Sequence, residues 1–481
     1  MQSPARTDIL RADRPLWRNL LQFLLPLMAS NLLQALSGTI GNIYLGRLIG
    51  VAALAAVSSF FPLLFFLISF LIGLMNGSTV LIGQAFGAGD LERVRQVAGT
   101  TISMNLLLGA VLAVSGGLFA PWVLSGLHTP PDILPYATDY ARIIFWAIPL
   151  LFLYLGYTTF LRGTGDSSTP FYSLVLNAAI ALAVMPVLIT GWIGWPGLSV
   201  EIAGRTLALP ALGVATGLPS FGINSGAYAS IVANFSTLVV LAVQLRGRRH
   251  VLAPDRALLA HLAFDWPILV QLIRIGLPSA TQMVLISLSE LAVITFVNDF
   301  GSGATAAYGA VNQIVSYVQF PAISIGIAAS IFGAQAIGRG DEHRLGAITR
   351  NALGLNLVIG TALVTITYVF ARDVLGWFIT DPVTLDLAYR LLAITLWSYV
   401  LFGMTAVLSG IMRSSGTVLW PMAISIFAIW GVEVPFAWGL SRWLGVDGIW
   451  IAYPIAFAAG LALQAIYFRL VWRHRAISRL V

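Results

Sequence analysis

The chain has 481 residues, of which 58% are hydrophobic and 9% charged, with a formal net charge of +7. A soluble domain carries about 25% charged residues, so a mean hydropathy of +0.88 places the chain in a bilayer and excludes an ordinary soluble, nucleic-acid-binding reading of its positive charge. Cysteine is absent and all 26 basic residues are arginine, which excludes disulfides, thiolate metal sites and a Walker A phosphate loop with its lysine.

Residues 1–17 are polar and arginine-bearing. The apolar stretch after them is too long for a signal-peptide core and lacks a small-residue cleavage site, so it reads as an uncleaved first span. Twelve apolar segments follow one another at about 18–46, 52–84, 96–124, 134–161, 168–192, 222–246, 267–299, 304–336, 347–370, 384–412, 417–441 and 447–472. Each is long enough to cross roughly 30 Å of hydrocarbon as a helix. With the N-terminus cytoplasmic, only Arg47, Arg142, Arg205, Arg372, Arg390 and Arg442 fall on the outer side, and the other arginines lie inside. By the positive-inside rule this predicts a multi-pass protein of the cytoplasmic (inner) membrane with both termini cytoplasmic. His128, His250, His261, His343 and His474 all fall in predicted loops or tails with no metal-ligand spacing among them, so no metal site is predicted.

The second half repeats the first. Gln84, Gly87, Gly89, Asp90 and Arg93 return 251 positions later as Gln335, Gly338, Gly340, Asp341 and Arg344, as do Asn105 in Asn356, Trp146 in Trp397, Arg162 in Arg413 and Pro170 in Pro421. A duplication of this length defines a first lobe over 1–246, a cytoplasmic linker over 247–265 and a second lobe over 266–481. Both lobes contain six spans and enter the membrane with the same polarity, which predicts a pseudo-twofold axis along the membrane normal and a transport path between the lobes. The Gly-Ala-Gly-Asp and Gly-Arg-Gly-Asp segments read as turns, with glycine at positive φ and aspartate capping the next helix. The register breaks once: Gly226 pairs with Gly448, so the first lobe carries an insertion at about 193–221, a Gly/Pro-rich outer loop with Glu201 and Arg205 as its charges.

Of the nineteen acidic residues only Glu290, in span 7, and Glu433, in span 11, lie inside predicted spans. A charge at bilayer mid-depth costs about 2.5–3.5 kcal/mol on insertion scales, so neither faces lipid. A desolvated carboxyl exchanges its proton nearer neutrality than a solvated one, which suits ion coupling; a structural carboxyl bonded to backbone freed by Pro435 is the alternative. Ser30, Gln34, Gly38 and Asn42 form a small and polar stripe on span 1. Aligning Pro26 with Pro278 maps it onto Gln282, Ile286, Glu290 and Ile294 of span 7.

Leu25-Pro26, Tyr44-Leu45-Gly46-Arg47, Gly83-Gln84 with Gly87-Ala88-Gly89-Asp90, and Leu161-Arg162-Gly163-Thr164-Gly165-Asp166 through Pro170, with their second-half echoes, resemble the multidrug and toxic compound extrusion (MATE) family of the MOP flippase superfamily. The resemblance spans nearly the whole chain. It implies an all-α membrane protein, with twelve helices in two pseudo-twofold-related six-helix lobes arranged in a V. It further implies alternating access and export of small amphipathic or cationic compounds in exchange for H+ or Na+, with no cofactor and a monomeric state. The chain departs from the family where first-lobe acids are common: Asn42 stands in span 1, and span 5 reads Asn177-Ala178-Ala179-Ile180-Ala181. The helix 7 glutamate of many relatives aligns with Ile286, one turn before Glu290, and a helix 10 aspartate of some relatives falls near Phe402. Ala181 maps by the repeat beside Glu433. The expectation is therefore that coupling rests on Glu290 and Glu433, with Gln34, Asn42, Asn177 and Ser230 left as a neutral first-lobe site. Tyr154, Tyr157, Gln282, Gln319, Trp397 and Tyr399 are candidate lining residues for a small-molecule substrate. Partners are then the substrate and membrane lipid, with no nucleic acid. A lipid-linked precursor flippase, an uncoupled facilitator and, more remotely, a membrane enzyme are the competing readings.

Overall fold

Backbone amides in hydrocarbon have no water to bond, which leaves closed helices as the way for such apolar segments to cross. The computed structural model describes residues 15–126, 129–195, 198–202, 205–209, 212–215, 220–379 and 381–481; Arg6, Arg11, Arg14 and His128 lie outside them. Twelve helices long and apolar enough to span a membrane occur among the described residues. They are α1 (Leu16–Leu48), α2 (Val51–Gly87), α3 (Leu91–Gly126), α4 (Leu134–Gly163), α5 (Ser168–Thr190) and α6 (Ser225–Gly247). The second set comprises α7 (Trp266–Asn298), α8 (Ser302–Arg339), α9 (Leu345–Val369), α10 (Pro382–Ser414), α11 (Leu419–Leu444) and α12 (Val446–Leu470).

The helices overrun the apolar segments because polar caps extend them. α3 begins at Leu91 rather than near 96, and the Asp90 carboxylate accepts the Arg93 N–H at 2.9 Å. α8 continues to Arg339 and stops at Gly340, whose φ of +78° closes the helix, as Gly89 at +76° does after α2. Within the insertion the sequence reading named no strands, and the structure has four. β1 (Trp192–Trp195) pairs with β4 (Leu212–Ala215), and β2 (Leu198–Ile202) with β3 (Arg205–Leu209), both antiparallel, in two two-stranded sheets. The alternation Leu198-Ser199-Val200-Glu201-Ile202 carries the strand signal that the glycines and prolines obscured.

The lobes meet in the half of the molecule nearest the arginine-rich loops. α2 crosses α7 so closely that a Cβ on Gly77 would stand 2.7 Å from the Leu272 carbonyl oxygen. A Cβ on Gly87 would overlap the Gln335 backbone, and one on Gly338 the Gln84 backbone. The two glutamines cross this seam in opposite directions: Gln84 Nε2 donates to the Ser414 carbonyl at 2.7 Å, and Gln335 Nε2 to the Gly163 carbonyl at 3.0 Å. Both glutamines are completely buried, and donors and acceptors alike are related by the 251-residue repeat. Up to and just past Pro26, α1 also belongs to the seam, since Leu20, Phe23, Leu24 and Leu27 pack against Ile325, Ala328 and Phe332 of α8. Beyond it, Asn31 Nδ2 donates to Ser324 Oγ at 3.0 Å, and Leu45 packs on Met185 and Ile189 of α5.

A methyl group at the seam has nowhere to go, and overpacking of this kind costs about 1–3 kcal/mol. Gly338→Ala is therefore expected to lower the melting temperature in detergent by several degrees. Gly38→Ala, where a Cβ meets nothing within 4 Å, should hold it constant or raise it through helix propensity. Equal effects of the two substitutions would contradict the packing described.

His250, in the linker between the lobes, accepts the Leu252 N–H on Nδ1 at 3.2 Å. Burial pushes its imidazole below the ordinary range, opposed by Asp166 and aided by Arg248. A lowered folded value means that the unfolded chain takes up the proton first. The stabilisation is then complete above the unfolded value of about 6.5 and is lost as pH falls below it toward the folded value. Melting curves between pH 7 and 5 should fall more steeply for the native chain than for His250→Gln; parallel curves would contradict this.

Candidate functional site

Pro435 has no N–H and its ring collides with the carbonyl four residues back, so α11 cannot pass it as a regular α-helix without strain. The helix widens instead into a π turn over Phe427–Glu433 before resuming at Val434, a local form that recurs at functional sites. Trp430 in this turn donates Nε1–H to the Leu285 carbonyl of α7 at 3.1 Å. That bond ties the widened turn to the helix bearing Glu290. Glu433, the last residue of the turn, is 5% exposed, whereas Glu290 is exposed at the edge of the packing. The two carboxyls are within electrostatic reach of one another.

Three further helices complete the surroundings. Tyr308 of α8 shares a hydroxyl–hydroxyl hydrogen bond of 3.2 Å with Tyr453 of α12, and Asn312 follows it one turn on along α8. The Tyr308 ring lies flat on the Trp450 indole, with centroids 5.5 Å apart and planes at 7°. Tyr399 of α10 joins them through Phe457 of α12, whose ring packs edge-on against both Tyr399 and Tyr453. The second lobe thus brings together two carboxyls, an amide and hydroxyls on five helices. These are oxygen donors, the kind that hold a proton or a hard cation. No group of three or more His, Cys, Asp or Glu capable of holding a metal occurs among the described residues.

The corresponding part of the first lobe is neutral. Asn177 Nδ2 donates to Asn234 Oδ1 at 2.9 Å, joining α5 to α6. Ser230 donates to the Gly226 carbonyl of its own helix, and Gln34 and Asn42 are exposed along α1. The candidate lining residues divide. Tyr154 and Tyr157 are buried, with Tyr157 packed among Leu245, Leu252 and Leu258 at the arginine-rich end. Tyr399 is buried against Phe402 and Phe457, Trp397 is exposed, and Gln282 and Gln319 are half-buried. Tyr308, Asn312, Tyr453 and Asn234 escaped the sequence reading. The four-residue spacing of Tyr308 and Asn312 was a usable signal, because it sets two polar groups on one face of an otherwise apolar helix.

Two six-helix lobes, paired by an internal repeat and carrying polar groups at mid-helix, define a membrane transporter rather than an enzyme. The MatE family model matches residues 26–187 and again 278–438, and the chain belongs to this family, the MATE transporters. It is 49% identical over 467 residues to "Probable multidrug resistance protein YoeA" of Bacillus subtilis (strain 168), covering 97% of this chain and 96% of that one. It is 25% identical over 449 residues to a "FAD transporter" of Shewanella oneidensis (strain ATCC 700550 / JCM 31522 / CIP 106686 / LMG 19005 / NCIMB 14063 / MR-1), covering 92% of each. The fold matches "Crystal structure of MATE in complex with MaL6" with a TM-score of 0.82 at 20% identity, over 94% of this chain and 95% of that one.

A carboxyl retained for packing and one retained for chemistry respond differently to amidation. Glu433→Gln removes a buried ionisable group while keeping its shape. The melting temperature is expected to stay level or rise, as at other sites where function opposes stability. A loss of several degrees would mark Glu433 as a structural residue.

Proposed function

We propose that the chain exports small amphipathic or cationic compounds by alternating access, driven by inward movement of H+ or Na+ at Glu290 and Glu433. The observation that carries this reading is the pair itself: two carboxyls on separate helices, one buried at a π turn, in a lobe whose counterpart offers only amides. Burying uncompensated negative charge is costly, so the pair favours a lobe arrangement open to water when empty and tolerates closure when a proton or cation neutralises it. An ion then shifts the lobe equilibrium by its differential affinity for the two arrangements. A cationic substrate competes for the same negative field, which makes export and ion entry alternate rather than coincide.

The 49% identity to a probable multidrug resistance protein of Bacillus subtilis supports drug-like substrates. The asymmetric distribution of arginine supports placing the lobe seam on the cytoplasmic side of the inner membrane. The protein in this reading works as a monomer, since both lobes that enclose the path belong to one chain.

Proteoliposomes loaded with a fluorescent lipophilic cation and challenged with a proton gradient, then a sodium gradient, test the proposal. One gradient is expected to drive transport in the native protein, and Glu290→Gln and Glu433→Gln are each expected to reduce that drive tenfold or more. Gradient-independent equilibration by the native protein would instead establish an uncoupled facilitator, and full drive in both variants would move coupling elsewhere.

A further inference from the structure

After α12 the chain passes through a short 3-10 turn (Trp472–His474) and continues without regular structure, yet it does not leave the surface. Trp472 is buried and donates Nε1–H to Ser415 Oγ at 3.0 Å, and Ile477 packs against the cluster shared by α1 and α8. Leu480 then sits across the seam. Its N–H donates to Gln84 Oε1 of the first lobe at 2.8 Å, and its carbonyl accepts from Gln271 Nε2 of the second at 2.8 Å. A Cβ on Gly416 would stand 3.0 Å from Leu480 Cδ1. Leu480 and Val481 pack against the cluster containing Val80, Leu81 and Ile268, again on both lobes.

This contact breaks the internal symmetry at one atom. The Gln84 and Gln335 side-chain amides make matched donor bonds across the seam. The Gln84 Oε1 is capped by Leu480, whereas the buried Oε1 of Gln335 has no hydrogen-bond partner among the described residues. The extra bond belongs to the segment after α12. Gln84 cannot keep both its bond to Ser414 and its bond to Leu480 if α2 moves away from α10 and the final segment.

We infer that residues 475–481 form a strap that holds the lobes together on their arginine-rich side and must detach before that side opens. The strap stabilises the closed seam by joining lobes that otherwise meet through helix packing, the two glutamines and the Asn31–Ser324 bond. Its release adds a step to one half of the transport cycle and leaves opening of the opposite side untouched.

The test measures lobe separation rather than transport, so it stands apart from the question of coupling. The chain has no native cysteine, so spin labels at cysteines replacing the exposed Ala88 and Glu342 report the distance across the seam in nanodiscs by double electron–electron resonance. Deletion of 475–481 and Leu480→Asp are each expected to raise the separated population several-fold over the native chain. A peptide of sequence Arg-Ala-Ile-Ser-Arg-Leu-Val, added to the deletion variant, should restore the short distance. Gln271→Ala, which removes one anchor and spares the first-lobe contact, guards against misfolding and should give an intermediate population. Native-like distances in monodisperse deletion and Leu480→Asp proteins would overturn the inference, as would failure of the peptide to shift the deletion variant.

Discussion

Everything in this structure hangs on two backbone crossings that only hydrogen atoms allow. Gly87 meets the Gln335 backbone and Gly338 meets that of Gln84, so α2 and α8 approach until each glutamine can reach a carbonyl in the opposite lobe. Small residues substitute for a hydrophobic driving force that the bilayer cannot provide, because lipid chains are as apolar as leucine. The resulting seam is tight, polar at its centre and confined to the half of the molecule nearest the arginine-rich loops. It is a joint suited to opening as a unit, since matched bonds break together.

The second lobe departs from the first in chemistry while keeping its architecture. Repeat partners Arg162 and Arg413 both occupy the last turns of their helices, where the dipole favours a cation. At mid-helix the likeness ends: an Asn177–Asn234 amide pair on one side, and on the other Glu290 and Glu433 with Tyr308, Asn312 and Tyr453. Pro435 and the widened turn before it place Glu433 where a regular α-helix would rotate it away. The geometry of α11 and the site chemistry are thus one feature, because the proline that disrupts the helix also sets the carboxyl.

The twelve helices and the duplication were legible in the sequence because apolar length and a 251-residue period survive any detail of packing. The acids were legible for a similar reason: a charge in an apolar segment stands out by its cost. Their companions were not. Tyr308 and Tyr453 are single polar-tipped aromatics among many, and their pairing joins helices 145 positions apart. The role of Gln84 and Gln335 was visible only as repetition, which marks importance without saying what is touched. The paired strands were obscured by glycine and proline, and the strap lacked periodicity.

Transient currents on a solid-supported membrane test the central claim most directly. A jump in proton or sodium concentration, with no substrate present, should displace charge in the native protein as the ion enters the second-lobe pair. The account predicts a saturable current that vanishes in the Glu290→Gln, Glu433→Gln double variant. An undiminished current in a correctly folded double variant would show that the ion binds elsewhere and would contradict the account.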